Sequence, residues 1–434
     1  MIINSHRIKN IFFVNAGLLF SSIFGFITHV YLAKEYGITK LADAFFMSFS
    51  VTETFSKILF ISQFSQIFLT IFWDEYLKNK EKAWTFLGNI YLILLLLCVL
   101  FTALSIIFGN FIVKVFAPGF SPDTLRYSVK ILTILFPYLF INLFYILSES
   151  ILNKFGKFFL SSLTNSLKHL SVLMIFISLK DVIGIFSIAA SYLISEIIFS
   201  IVLFIYVAKS GFEIKNATRL DYTLIKIYFN ELKPFALTNF SSFIVGFSYK
   251  VSVSLLAPGA MSILSYSRKI FTLLANLTWS GMGKVIFPEF VEFKKNKEKI
   301  KEIIFFSVIF TAATGMIFIF LFFIWGDEIL QLIFMRGKMK RENVSEVAKT
   351  LLLYLTGFIP DGITNVLGQL FISLGKGSFV AYTNVFFVLA QSALFFVMSK
   401  IYSYYGIAIT PTLVLFVLLI IYIINLKKVY AGWN

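Results

Sequence analysis

IFGNFIVKVFAPGF (residues 107–120) returns half a chain later as IWGDEILQLIFMRGKM (324–339), with Gly109 matched by Gly326 and Gly119 by Gly337. Further on, NKFGKF (153–158) returns as SLGKGSF (373–379), pairing Gly156 with Gly375. The offsets are 217, 218 and 219 residues, and 217 is half of 434. Small insertions leave a drift of that size in a duplicated unit. The repeat predicts two halves, 1–215 and 216–434, each with the same succession of elements.

Composition puts those elements in a membrane. Mean hydropathy is +0.87, 59% of residues are hydrophobic and 14% are charged, far from the balance of soluble domains. Stretches long enough to span a bilayer, about 20 residues each, recur along the chain. They run over 11–33, 41–72, 84–108, 129–152, 158–178 and 183–208 in the first half. In the second half they run over 234–256, 262–287, 303–325, 348–373, 378–399 and 404–426. The expected fold is an all-α membrane protein of about twelve transmembrane helices, in two pseudo-symmetric six-helix lobes around a central cavity. The fifth, seventh and eighth spans are diluted by Ser, Thr, Asn and Lys, which suits helices facing a wet interior. The first apolar run is too long for a signal-peptide core and no small-residue cleavage site follows it, so it counts as a helix. A membrane chain with two repeated lobes points to a transporter.

Lys and Arg in short loops set orientation. With the N-terminus in the cytoplasm, the inside segments hold twenty of them and the outside segments ten, so both termini are expected to be cytoplasmic. The cluster Arg336, Lys338, Lys340 and Arg341 opposes this locally. The formal charge of +16 is then explained by loops facing anionic headgroups. FKKNKEKIK (293–301) reads as a solvated linker and not as a nucleic-acid site. Cys98 stands alone, His6, His29 and His169 have no metal spacing, and no phosphate loop or nucleophile elbow is present. Metal, cofactor and soluble enzyme chemistry have no footing here.

Ionisable residues inside spans carry the functional signal, because each costs at least about 2.5–3.5 kcal/mol near the bilayer centre unless it faces a cavity or partner. They are Asp43, Glu53, Lys57, Glu149, Lys168, His169, Glu196, Lys250, Arg268, Lys269 and Asp361. Glu53 and Lys57 have the i, i+4 spacing of a same-face ion pair. Lys57, Lys168, Lys250, Arg268 and Lys269 supply cations from both halves. Lys168 follows Ser161, Ser162, Thr164, Asn165 and Ser166, and Lys250 follows Thr238, Asn239, Ser241, Ser242 and Ser248. A cavity so lined suits an anionic, hydroxyl-rich headgroup such as a sugar diphosphate. The other reading of these residues is polar contact between helices with no cavity at all. Asp43, Glu53 and Glu149 are the candidate ion-coupling or gating carboxylates.

Short motifs in the same order along the chain resemble the MviN/MurJ lipid II flippases of the multidrug/oligosaccharidyl-lipid/polysaccharide exporter superfamily. They are ADAFF (42–46), FSQ (64–66), VFAPGF (115–120), FPYLF (136–140), LN (152–153), YSRKI (266–270) and FMRGKM (334–339). The resemblance implies two lobes in alternating access in the bacterial inner membrane. It also implies a cationic cavity for a polyprenyl-diphosphate-linked glycolipid and association with cell-wall synthesis proteins. Arginines usual in that family are replaced by Ser22, Thr28 and Ser56, and an acidic position by Ile61, while Asp43 and Lys269 match. Lipid II flippases typically have fourteen helices against twelve here. The expected cargo is lipid II, moved with help from membrane potential or a monovalent cation. The alternatives are another polyprenyl-linked oligosaccharide of O-antigen or capsule type, a cation-coupled drug exporter resting on the three carboxylates, and a non-transporting scaffold.

Overall fold

The computed structural model describes residues 5–59, 61–294 and 296–431. Lys295 and the side chains of Arg7, Lys9 and Ile61 lie outside what is described. Among the described residues there are no strands, and fifteen α-helices follow one another. The first half holds α1 (Ser5–Tyr36), α2 (Lys40–Ile58), α3 (Ile61–Lys78), α4 (Lys80–Phe116), α5 (Pro122–Lys154), α6 (Phe158–Ile183) and α7 (Phe186–Ala208). A short α8 (Tyr222–Leu232) leads into the second half. There follow α9 (Ala236–Ser254), α10 (Ala260–Leu277), α11 (Trp279–Glu292), α12 (Lys297–Phe334), α13 (Arg341–Thr356), α14 (Phe358–Ser373) and α15 (Gly377–Ala431).

Joined across their breaks (α2 to α3, α10 to α11, α13 to α14) and with α15 counted as two limbs, these helices make the twelve expected passes, α8 standing apart. Eight stretches are long and apolar enough to cross a membrane. The segments that miss that standard are α6, α9 and α10–α11, the three diluted by polar residues. Large apolar side chains line outward faces, among them Leu95, Val99, Ile107 and Phe111 on α4 and Phe305, Ile309, Phe320 and Phe323 on α12. Patches of that extent belong against lipid.

The breaks have different causes. Pro360 lacks the N–H that would bond the Thr356 carbonyl, and the tenth pass divides at Gly357. Between α2 and α3 there is neither Pro nor Gly; within the expected single helix over 41–72, α2 ends at Ile58 with Leu59 in a turn, and Phe60 lies outside what is described. The eighth pass breaks at the matching place, at Thr278 (φ −117°, ψ −108°).

Duplication is visible in local geometry. Asn79 and Asn296 cap α4 and α12 alike, each accepting from the N–H three residues on, at 3.1 and 3.0 Å. The Ser48 hydroxyl donates to the Ser128 carbonyl at 2.8 Å, and Ser267 to Val347 at 2.9 Å, an offset of 219 on both sides. Gly184 (φ 58°, ψ −135°) turns the chain between α6 and α7, and Ser403 (φ 54°, ψ −141°), 219 residues later, turns it between the limbs of α15. That backbone region suits glycine and strains other residues.

By their internal contacts the residues form two compact units, Met1–His29 with Ala44–Gly246, and Val30–Asp43 with Phe247–Asn434. In the first unit α3, α4, α5, α7 and α8 enclose an aromatic core that includes Phe68, Phe72, Trp84, Phe86 and Tyr228. The α8 helix presents Leu224, Tyr228 and Leu232 to it, and the Tyr228 hydroxyl donates to the Phe64 carbonyl at 3.0 Å. Fully buried Asn89 fastens the segment before α8, donating to the Arg219 carbonyl at 2.7 Å and accepting from the Asp221 N–H at 2.8 Å. In the second unit Leu367, Phe371, Val380, Phe387 and Tyr422 pack α14 against α15. Residues 30–43 thread into this unit. The Lys338 N–H donates to the Lys34 carbonyl at 2.9 Å, so close an approach that a side chain on Gly337 would collide with Lys34.

A Cβ on Gly184 meets nothing within 4 Å, so its substitution tests backbone strain alone. Gly184→Ala is expected to cost about 1–3 kcal/mol, and Ser403→Gly to stabilise by a similar amount. Thermal unfolding in detergent reads both, and equal shifts of one sign would refute the matched-turn argument.

Candidate functional site

Lys168 does not stand in a cavity as a free cation. It is buried within the first unit, with its Nζ 3.1 Å from Glu196 Oε1. The same ammonium lies 3.7 Å from the centre of the Tyr145 ring. Asn142 Nδ2 donates to Glu196 Oε1 at 2.9 Å, so one carboxylate oxygen takes two donors. This corrects the expectation of a headgroup cation at Lys168, because its charge is already matched by a carboxylate on α7. The hydroxyl-rich stretch before it is likewise structural. The Ser161 hydroxyl donates to Asn153 Oδ1, Thr164 reaches Tyr145, and Ser166 donates to the Gly17 carbonyl at 3.1 Å, tying α6 to α5 and α1. On α9, Asn239 bonds Gln63, while Ser241 and Ser242 return to carbonyls of their own helix.

Glu53 and Lys57 do not neutralise each other. Both are exposed on α2, and neither makes an ion pair among the described residues. Lys57 sits in the last turn of α2, where the chain breaks and the helix dipole favours a cation. Glu149 is half-buried on α5, one turn beyond Tyr145. The positions where the family resemblance implies arginine hold hydroxyls turned onto their own helices, Ser22 to Leu18, Thr28 to Phe24 and Ser56 to Glu53.

In the second unit Asp43 is 3% exposed and fully engaged. Its carboxylate accepts from the Gly259 and Ser262 N–H groups, the latter at 2.8 Å, and from the Ser262 hydroxyl at 2.6 Å. It caps the N-terminus of α10 from outside that helix. A coupling carboxylate needs an open oxygen, and Asp43 serves instead to join the start of α2 to the start of α10. Lys250 is buried on α9, Arg268 is exposed on α10 and Lys269 is half-buried beside it. Arg268 acts electrostatically on Asp361 of α14 and on Tyr354, which is hydrogen-bonded to Tyr249. The structure therefore sets a carboxylate near the cation of YSRKI.

Comparison with known proteins adds the rest. A family model described as "Lipid II flippase MurJ" matches residues 32–432. The chain belongs to this family. A probable lipid II flippase MurJ from Buchnera aphidicola subsp. Baizongia pistaciae is 26% identical over 416 residues, covering 91% of this chain and 78% of the relative. A solved structure described as "Lipid II flippase MurJ, inward closed conformation" matches with TM-score 0.80 at 21% identity, over 96% of this chain and 87% of that one. An inward-facing multidrug resistance MATE family transporter of the MOP superfamily matches with TM-score 0.66 at 13% identity, over 97% and 94%. At such identities the two structures speak for the fold. Family and helices together make this a multi-pass bacterial membrane protein.

For a MurJ-family chain, sequence reading placed most weight on cations and overlooked their partners. Glu196 and Asp361 were visible as charged residues within spans, and Asn142 and Tyr145 were not singled out at all. The signal for Glu196 was its own cost in the bilayer, which requires a neutralising group. A second cluster, where Tyr404 and Tyr405 donate to Glu346 and Lys349 pairs with it at 3.0 Å, lies beside the Ser403 turn.

Removing one partner of a buried ion pair leaves an uncompensated charge and costs about 3–5 kcal/mol. Lys168→Met and Glu196→Gln should each show that loss in thermal unfolding, and the double variant should recover most of it. Single variants within about 1 kcal/mol of the parent would mean the pair is not formed.

Proposed function

We propose that this chain is a flippase that moves a polyprenyl-diphosphate-linked sugar intermediate, the peptidoglycan precursor lipid II, across the bacterial inner membrane by alternating access of the halves 1–215 and 216–434. It is a transporter and not an enzyme. The observation that carries this reading is the family match over 32–432. Lys57, Arg268 and Lys269 are the cations this reading assigns to the diphosphate; each is exposed or half-buried, unlike Lys168. Lys250 is buried and is assigned a supporting role. The polyprenyl tail remains in lipid. Both termini lie in the cytoplasm on this reading, as the balance of Lys and Arg in the loops favours.

The drug-exporter alternative rests on Asp43, Glu53 and Glu149, and loses Asp43 to the cap of α10. A flippase for another polyprenyl-linked oligosaccharide shares the diphosphate chemistry.

Two outcomes test the proposal. Expressed in bacteria depleted of their own lipid II flippase, the chain should restore accessibility of lipid II to an externally added, membrane-impermeant probe. Lys57→Ala and Arg268→Ala should abolish that rescue while still inserting in the membrane. Parental rescue by both would remove the assigned cations. Outward movement of net negative charge is favoured by an inside-negative potential, about 2.3 kcal/mol per charge per 100 mV. Collapsing the potential should therefore slow flipping, and an unchanged rate would exclude potential as a driving force.

A further inference from the structure

We infer that Glu149, Lys168 and Glu196 form a proton-binding site inside the first unit, in which Glu149 takes up and releases one proton against a fixed Lys168–Glu196 ion pair. Three helices build it. Glu196 on α7 is 2% exposed and takes donors from both Asn142 and Lys168 on one oxygen. Lys168 on α6 has its remaining approach covered by the Tyr145 ring. Glu149 shares the face of α5 that carries Tyr145, four residues earlier. The charges that act on Glu149 are Lys168 and Glu196.

Charge balance then requires a counter-ion. Two carboxylates and one ammonium carry a net charge of −1 when all are ionised. Glu149 has no hydrogen bond or ion pair through its carboxylate among the described residues, and so nothing in the chain holds it ionised as Asn142 and Lys168 hold Glu196. Proton uptake by Glu149 converts –COO⁻ to –COOH and brings the cluster to zero. With Glu149 ionised, one negative charge stands beside the Lys168–Glu196 pair without a partner. With Glu149 protonated, the pair stands alone.

A proton fits better than a metal cation. The Lys168 ammonium already occupies the position a monovalent ion would take beside Glu196, and no group of three His, Cys, Asp or Glu with metal-holding geometry occurs among the described residues. Among the other titratable groups on the elements packed around α5, Glu75 of α3 pairs with Lys82, and Asp74 and Lys78 are exposed near the end of that helix. Tyr91 on α4 is hydrogen-bonded to Ser148, Tyr192 on α7 packs against Tyr138, His169 follows Lys168 on α6, and Lys154 at the end of α5 lies over Trp73. Use of this proton in the transport cycle rests on the flippase reading; the site itself does not.

The test is infrared difference spectroscopy of the purified chain in lipid, titrated across roughly pH 4 to 9. The parent should gain the carbonyl stretch of protonated carboxylic acids on acidification, one equivalent of it from Glu149. Glu149→Gln should lose that equivalent, and Glu53→Gln should keep it, with both variants unfolding thermally at parental temperature. An unchanged band in Glu149→Gln, or no titrating band in the parent, would overturn the site. Suppression of the band by sodium at constant pH would also overturn it, by making the ligand a metal cation. Failure of the chain to flip lipid II would leave the band as it is, so the two readings fail separately.

Discussion

Hydrocarbon offers no water to a backbone N–H or C=O, so every such group inside a bilayer must be matched within the chain. That constraint makes the membrane-spanning segments helical, and it makes each departure from the helix within them a place that needs compensation. Pro360 opens the α13–α14 break by removing a donor. Hydroxyls of Ser and Thr along α1, α6 and α9 turn back to carbonyls three or four residues earlier, or cross to a neighbour. Polar content that would be lavish for lipid-facing helices is consumed in this way, and only part of it is left for a ligand.

The same accounting separates the ionisable residues into two kinds. Asp43 and the Lys168–Glu196 pair are satisfied by groups within their own unit and hold helices together. Lys57 and Arg268 are exposed and Lys269 is half-buried, which is why the proposed function assigns the anionic headgroup to them. Glu149 belongs to neither kind. It is half-buried beside a complete ion pair, which is why proton exchange is the chemistry left to it.

Duplication shows how far local geometry can persist while side chains diverge. The turn between the fifth and sixth passes of each half has the same φ and ψ, yet one copy holds Gly184 and the other Ser403. The strained copy is flanked by the Glu346, Tyr404 and Tyr405 hydrogen bonds, which the first half does not share at the sequence level. The family match likewise runs across the chain, over residues 32–432, at 26% identity to a relative from Buchnera aphidicola.

The twelve passes were legible in the sequence because bilayer thickness fixes the length of an apolar run, and the two-fold repeat was legible partly because the paired Gly156 and Gly375 both hold left-handed turns (φ 79° and 76°) that other residues would strain. Even the polar dilution of α6, α9 and α10–α11 could be read directly. The end of α2 at Ile58 could not, since no Pro or Gly marks it. Nor could the fate of individual charges. Asp43 and Ser262 are 219 residues apart, and Lys168 and Glu196 are 28 apart on different helices. Sequence determined that these charges must be paid for in a bilayer; which partner answers each one depends on helix rotation and packing, and only the tertiary structure decides that.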